Sequence, residues 1–176
     1  MRTLVLAAAA VLCSCASTPP RAWSAGGAPI LVPQAEWRDE DGTTVQVRPD
    51  GAVLVNGVLL LSLDPAGRVY DSSGEGVAVL LADGRLSGPD DTMLGRIGVG
   101  NAAPPGSDTA WISVQPNGDV LYADDDGERH AYGHWTGCNG PARRTCTLVT
   151  HLVTLQRLQA ATASTVWVGM GVGVYR

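Results

Sequence analysis

Four stretches of the chain open on one kind of turn and then follow one plan: PDGAVLVNGVLLLSLD from residue 49, PAGRVYDSSGEGVAVLL from 65, ADGRLSGPDDTMLGRIG from 82 and PNGDVLYADDDGERHAY from 116. The starts lie 16, 17 and 34 residues apart, so the last gap spans two periods. A degenerate unit, VGNAAPPGSDTAWISVQ from 99, fills it, with Trp111 and Val114 standing where Val77 and Leu80 stand earlier. Each unit turns at a glycine (Gly51, Gly67, Gly84, Gly118), the residue that accepts the positive φ of a tight turn. A short apolar or alternating run follows, then a second polar Gly/Asp turn and a return run. That spacing predicts hairpins.

Within the units, Val53 with Val55, Leu59 with Leu61, and Val77 with Val79 are two residues apart, which predicts a shared inward face on each strand. One hairpin cannot bury its apolar face alone, so five must stack or close on one another. The expected fold is therefore mainly β: about five glycine-turn hairpins of about 17 residues over 49–132, packed as a compact barrel or sandwich. They sit inside one β-rich domain over 35–176, whose segment 133–176 departs from the repeat.

In that segment residues 147–161 carry two patterns at once. Leu148, Leu152, Leu155 and Leu158 form a helical stripe, whereas the Thr and Val content of TLVTHLVTL favours a strand. The reading is a strand through about Leu155, a short helical or irregular continuation, and a final strand over TVWVGMGVGVYR, too short and glycine-rich for a transmembrane helix.

The first residues have the layout of a secretory signal: Arg2, an apolar core from Leu4 to Leu12, then small residues. Leu12, Cys13, Ser14 and Cys15 resemble the lipobox of bacterial lipoproteins. The resemblance implies a signal peptide over 1–14, a diacylglycerol and fatty acid such as palmitate on Cys15, and Cys15 as the first mature residue. The membrane is then a partner through a lipid anchor. Ala16 and Ser17, where aspartate would imply inner-membrane retention, imply the outer membrane, facing the periplasm or the cell surface. Residues 15–34, rich in Pro, Gly, Ala and Ser, read as a lipidated flexible tether with a span of about 25 Å. The hairpin pattern also resembles β-flower-like repeat domains of bacteria over about 49–132, which implies a closed or sandwich-like β body.

With Cys13 removed and Cys15 acylated, Cys138 and Cys146 remain of the four cysteines. Outside the cytosol they are expected to form one disulfide that clips two strands at their ends, worth about 2.5 kcal/mol by loop entropy.

The remaining candidate chemistry has a plain structural account in each case. Net charge is −5 and the 12 basic residues, all arginine, form no cluster beyond Arg143 and Arg144, which argues against nucleic acid. GVGNAA at 98–103 matches a dinucleotide loop, but Pro104 and Pro105 forbid the helix it needs, and the glycines at 169–173 are too close to the last residue. Asp124, Asp126 and Glu128 are candidate calcium ligands on what reads as a polar turn, like Asp90 and Asp91 earlier. His130 and His134 share a strand face about 13 Å apart, too far for one metal, with His151 elsewhere. No GxSxG elbow is present, and Ser72 and Ser73 belong to a turn. Trp111, Trp135 and Trp167 could serve as stacking platforms for a glycan or as core. The expectation is a non-catalytic, cofactor-free, lipid-anchored envelope module, structural or protein-binding, with glycan or small-ligand binding as the alternative.

Overall fold

The computed structural model describes residues 18–124 and 126–169, with side chains through 161. Twelve antiparallel strands close into a single barrel: β1 (Ala35–Arg38), β2 (Thr44–Val47), β3 (Ala52–Val55), β4 (Val58–Leu63), β5 (Arg68–Asp71), β6 (Gly76–Leu80), β7 (Arg85–Ser87), β8 (Met93–Ile97), β9 (Asn101–Ala103), β10 (Ile112–Val114), β11 (Asp119–Ala123) and β12 (Arg129–Thr136). Every strand pairs with its neighbours in sequence, and β1 pairs with β12 at Trp37 opposite Trp135, so no strand edge is left open. Of the two expected packings, the closed barrel is the one formed.

The repeat has a concrete backbone basis. The turn glycine of each unit accepts a hydrogen bond from the N–H at the end of the following hairpin: Leu63 to Gly51 at 2.9 Å, Leu80 to Gly67 at 2.8 Å, Ile97 to Gly84 at 2.7 Å and Trp135 to Gly118 at 2.8 Å. At Gly51 and Gly118 φ is +92° and +98°, and a Cβ at either would collide with the carbonyl of Leu63 or Trp135. Glycine is required there twice over, by conformation and by space.

Four strands carry one extra residue against their partner: Leu60 on β4, Val77 on β6, Leu94 on β8 and Tyr132 on β12. A bulge breaks the two-residue alternation and re-aims side chains. This corrects the expected pairing of Leu59 with Leu61: Leu61 is 7% exposed, but Leu59, across the bulge, is 43% exposed.

After β12 a turn over Gly140–Ala142 leads into α1 (Arg143–Gly169). The expected strand through Leu155 is therefore a helix, and the expected final strand is helical over 165–169, its remainder lying outside the described residues. Two causes overrule the β-branched composition. The hydroxyls of Thr147, Thr150 and Thr154 donate to the carbonyls four residues back, at 2.9, 2.8 and 2.8 Å, so threonine is satisfied in a helix. Tertiary burial then decides, because from Thr145 to Thr154 every residue except Leu152 is fully buried, on all sides of the helix. α1 lies inside the barrel.

It starts at the lower end, where Thr147 donates to Val99 O in the β8–β9 turn, and leaves at the upper end, where Arg157 meets Asp39 beyond β1. The Cys138–Cys146 disulfide, Cα atoms 6.2 Å apart, ties the end of β12 to the first turn of α1, a strand to a helix instead of two strands. Cys15 lies outside the described residues.

Residues 18–34, expected as a free tether, are a strap on the barrel wall. It begins at the upper end, where Thr18 O accepts from Asp90 N at 2.9 Å and Arg21 pairs with Asp91 at 2.8 Å. Trp23 then packs edge-on against Tyr70, Ala28 N donates to Leu80 O at 2.6 Å, and Leu31 O at the lower end accepts from Thr145. Ala28 and Ile30 are buried, and burial of apolar groups beats the freedom of a Pro/Gly/Ala chain.

Candidate functional site

A helix with its side chains is about 10–12 Å across, and a barrel grows with strand number, so twelve strands enclose more room than one helix fills. Polar contacts decide where the helix sits. Trp135 Nε1 donates to Thr150 Oγ1 at 2.9 Å, Trp111 Nε1 donates to His151 Nδ1 at 3.0 Å, and the Tyr132 hydroxyl lies 3.3 Å from Thr154 Oγ1, whose own proton goes to Thr150 O and which therefore accepts from the tyrosine. Near the upper end Arg157 Nη1 lies 2.8 Å from Asp39 Oδ2 and its guanidinium stands 5.5 Å from the centre of the Trp37 ring. The Arg157–Asp39 contact is close but poorly aligned as a hydrogen bond, so its attraction is coulombic; Arg157 Nη2 and Trp37 Nε1 are buried without a partner. These contacts hold α1 against the wall made by β1, β10 and β12.

The opposite face of α1, carrying Leu152, Leu155, Gln156 and Gln159 at helical spacing, looks across a cleft of about 320 Å³ toward β4, β5, β6 and β8. Its far wall is Leu60, Leu61, Val69, Val77, Ala78 and Leu94, and Asp71 stands at the end of β5. The cleft opens at the upper end. Three of the four bulge residues, Leu60, Val77 and Leu94, line it, while the fourth, Tyr132, holds the helix from the other side. Its apolar lining with a few polar groups at the mouth has the general make-up of small-molecule pockets, and its volume lies at the low end of their usual range of roughly 300–1,000 Å³. A larger groove of about 500 Å³ beside Glu36, Gln46, Arg48 and Thr136 is a polar hollow on the outer wall.

His151 is a buried titratable group on α1. Its Nε2 is 2.7 Å from Leu94 O, which can only accept, and its Nδ1 faces the Trp111 N–H, which can only donate. Those partners define a neutral ring with the proton on Nε2. Burial pushes its pKa below the ordinary 6.5, partly opposed by the Leu94 carbonyl.

The tryptophans expected as stacking platforms are placed differently. Trp135 is 2% exposed and Trp111 is half-buried and bonded to His151, so neither offers an open face; the Trp167 side chain lies outside the described residues. Of the calcium candidates, Asp124 and Glu128 come together with His130, ligand atoms within 4.8 Å of one another, and Asp126 is not among them. Asp124 Oδ1 accepts the Asp126 and Glu128 N–H groups, and Oδ2 lies 2.9 Å from His130 Nε2, which raises the histidine's pKa and lowers the aspartate's. The cluster is a self-satisfied hairpin turn. His134 pairs with Asp119 instead.

Asp39, Arg157 and Trp37 had no part in the sequence reading, and the cleft residues entered it, where at all, only as strand-face or helix-stripe positions. A signal for three of them was present: Leu60, Val77, Leu94 and then Trp111 recur at intervals of 17 residues, and all four face α1. No protein-family model matches the chain, and no curated protein and no solved structure matches it either.

Proposed function

We propose that this chain is a lipid-anchored module of the bacterial outer membrane that performs no catalysis and binds a small apolar ligand in the cleft beside α1. The observation that carries the binding half is the cleft itself, apolar walls around about 320 Å³ with its helix pinned to the far side. The anchor rests on the lipobox-like Leu12-Cys13-Ser14-Cys15 and is supported by the Cys138–Cys146 disulfide, the kind of bond kept outside the cytosol. Attachment by lipid also suits the barrel's dimensions. Its strands run from three to eight residues, short of the roughly 9–11 that a membrane-crossing strand needs. Among the described residues no helix is long and apolar enough to cross a membrane.

A purely structural or protein-binding scaffold would share the anchor but has no use for an open lumen. Glycan stacking loses support because Trp111 and Trp135 are packed inward. The test of the anchor is membrane fractionation of the native protein beside Cys15→Ala. The wild type should sediment with outer membranes and the variant should be released or retain its leader; unchanged attachment of the variant contradicts the reading.

A further inference from the structure

Three features meet at the upper end of the barrel. The cleft opens there. The strap that leads back to the anchor begins there, with Thr18 fixed to Asp90 and Arg21 to Asp91 in the β7–β8 turn. Exposed apolar side chains gather there as well: Val58 (71% exposed) and Leu59 on the β3–β4 hairpin, Met93 at the start of β8, and Leu158 on α1 where it leaves the barrel. Among the described residues these are four of the six large apolar side chains that stand exposed, the other two, Leu31 and Val99, being at the lower end.

Cys15 precedes Thr18 by three residues, a reach of about 10 Å even fully extended. A lipid on Cys15 therefore cannot leave the body hanging free of the bilayer; it holds the upper end at the headgroups. Among the described residues, the turns on the cleft side of that end supply Asp71, Glu75, Asp90 and Asp91, and Arg21 is paired with Asp91. Net negative charge at the mouth repels an anionic headgroup and favours one carrying an ammonium.

We infer that the upper end is apposed to the membrane and that the cleft receives one acyl chain of a zwitterionic bilayer phospholipid, its ammonium headgroup beside the β5–β6 turn. Val58 and Leu59 enter the interfacial zone next to the mouth, and the chain runs down between Leu152 of α1 and the bulge residues Leu60, Val77 and Leu94. Each methylene that leaves water adds to the stabilisation. For a chain that stays in contact with apolar surroundings from bilayer to cleft the net gain is smaller, which makes the exchange reversible. This inference rests on the anchored reading above.

The test uses the full native lipoprotein in phosphatidylcholine vesicles that contain a small share of phosphatidylcholine with a photoactivatable diazirine on its acyl chain. After irradiation, adducts are mapped by mass spectrometry. Adducts on Leu60, Val77, Leu94 or Leu152 are expected, with at least a tenfold loss of them in Val77→Phe and in Leu60→Phe, two independent ways of filling the cleft, while Val58 and Leu59 stay labelled. Phosphatidylglycerol bearing the same group should label the cleft several-fold less. Adducts confined to Val58, Leu59, Met93 and Leu158, or cleft adducts undiminished in both variants, overturn the inference. Equal cleft labelling from phosphatidylglycerol overturns the headgroup preference. Protein that floats with vesicles yet shows no cleft adducts overturns this inference alone; protein that does not float contradicts the anchor as well.

Discussion

His151 shows how one side chain can be fixed in its protonation state by its partners. Its ring sits between a carbonyl that needs a proton donor and an indole that needs an acceptor, so a second proton would set Nδ1–H against the Trp111 N–H. With the folded pKa held below the ordinary 6.5 by burial, the unfolded chain binds the proton first as pH falls. Stability is therefore complete above the unfolded value and declines below about pH 6.5, by about 1.4 kcal/mol per pH unit until the folded pKa is reached. In His151→Gln, whose amide can accept from Trp111 and donate to Leu94 O, thermal unfolding followed from pH 8 to pH 5 should lack that decline; an unchanged acid limb would assign it to other groups. Arg157 makes a second case. Asp39 is buried, so Arg157→Met strands a carboxylate, and urea unfolding should show a loss of about 3 kcal/mol that Asp39→Asn in the same chain largely restores. Neither residue stood out in the sequence, because a single arginine and a single aspartate 118 positions apart leave no local pattern.

At the level of elements, the hairpins were legible and the helix was not. Glycines at Gly51, Gly67, Gly84 and Gly118 carry a physical demand into the sequence, a positive φ under a neighbouring strand, so their spacing could be read directly. TLVTHLVTL has strand composition and helical leucine spacing, and what settles it is burial on all sides within a barrel that local sequence does not show. Bulges hide for a related reason. One added residue at Leu60, Val77, Leu94 or Tyr132 shifts the strand's alternation, so a two-residue pattern predicts the wrong face beyond it, as it did for Leu59. The element that positions the cleft is α1, and its hold on the wall of β1, β10 and β12 can be probed without altering volume. Thr150→Val leaves the buried Trp135 N–H without its acceptor and should cost about 1–3 kcal/mol in chemical unfolding, whereas an effect near zero would mean that packing alone seats the helix.

For the whole molecule, the repeat demanded a closed or stacked β body, and the closed twelve-stranded form follows from pairing β1 with β12 through Trp37 and Trp135. The lumen was beyond reach of the sequence, since a cavity is what remains after every element is placed. The strap was misjudged as a tether because its Pro, Gly and Ala content suits flexible chains, yet Ala28 and Ile30 find apolar partners on the barrel. That docking changes the geometry of attachment, bringing the mouth of the cleft to the surface that the anchor is proposed to occupy. The account stands or falls on whether the lumen holds lipid. Native mass spectrometry of the full native protein, released gently from membranes, measures this directly: one noncovalent lipid per chain is expected beyond the acyl groups proposed on Cys15, absent from Val77→Phe. A native chain bearing only its covalent lipid, or a variant retaining the extra one, would contradict it.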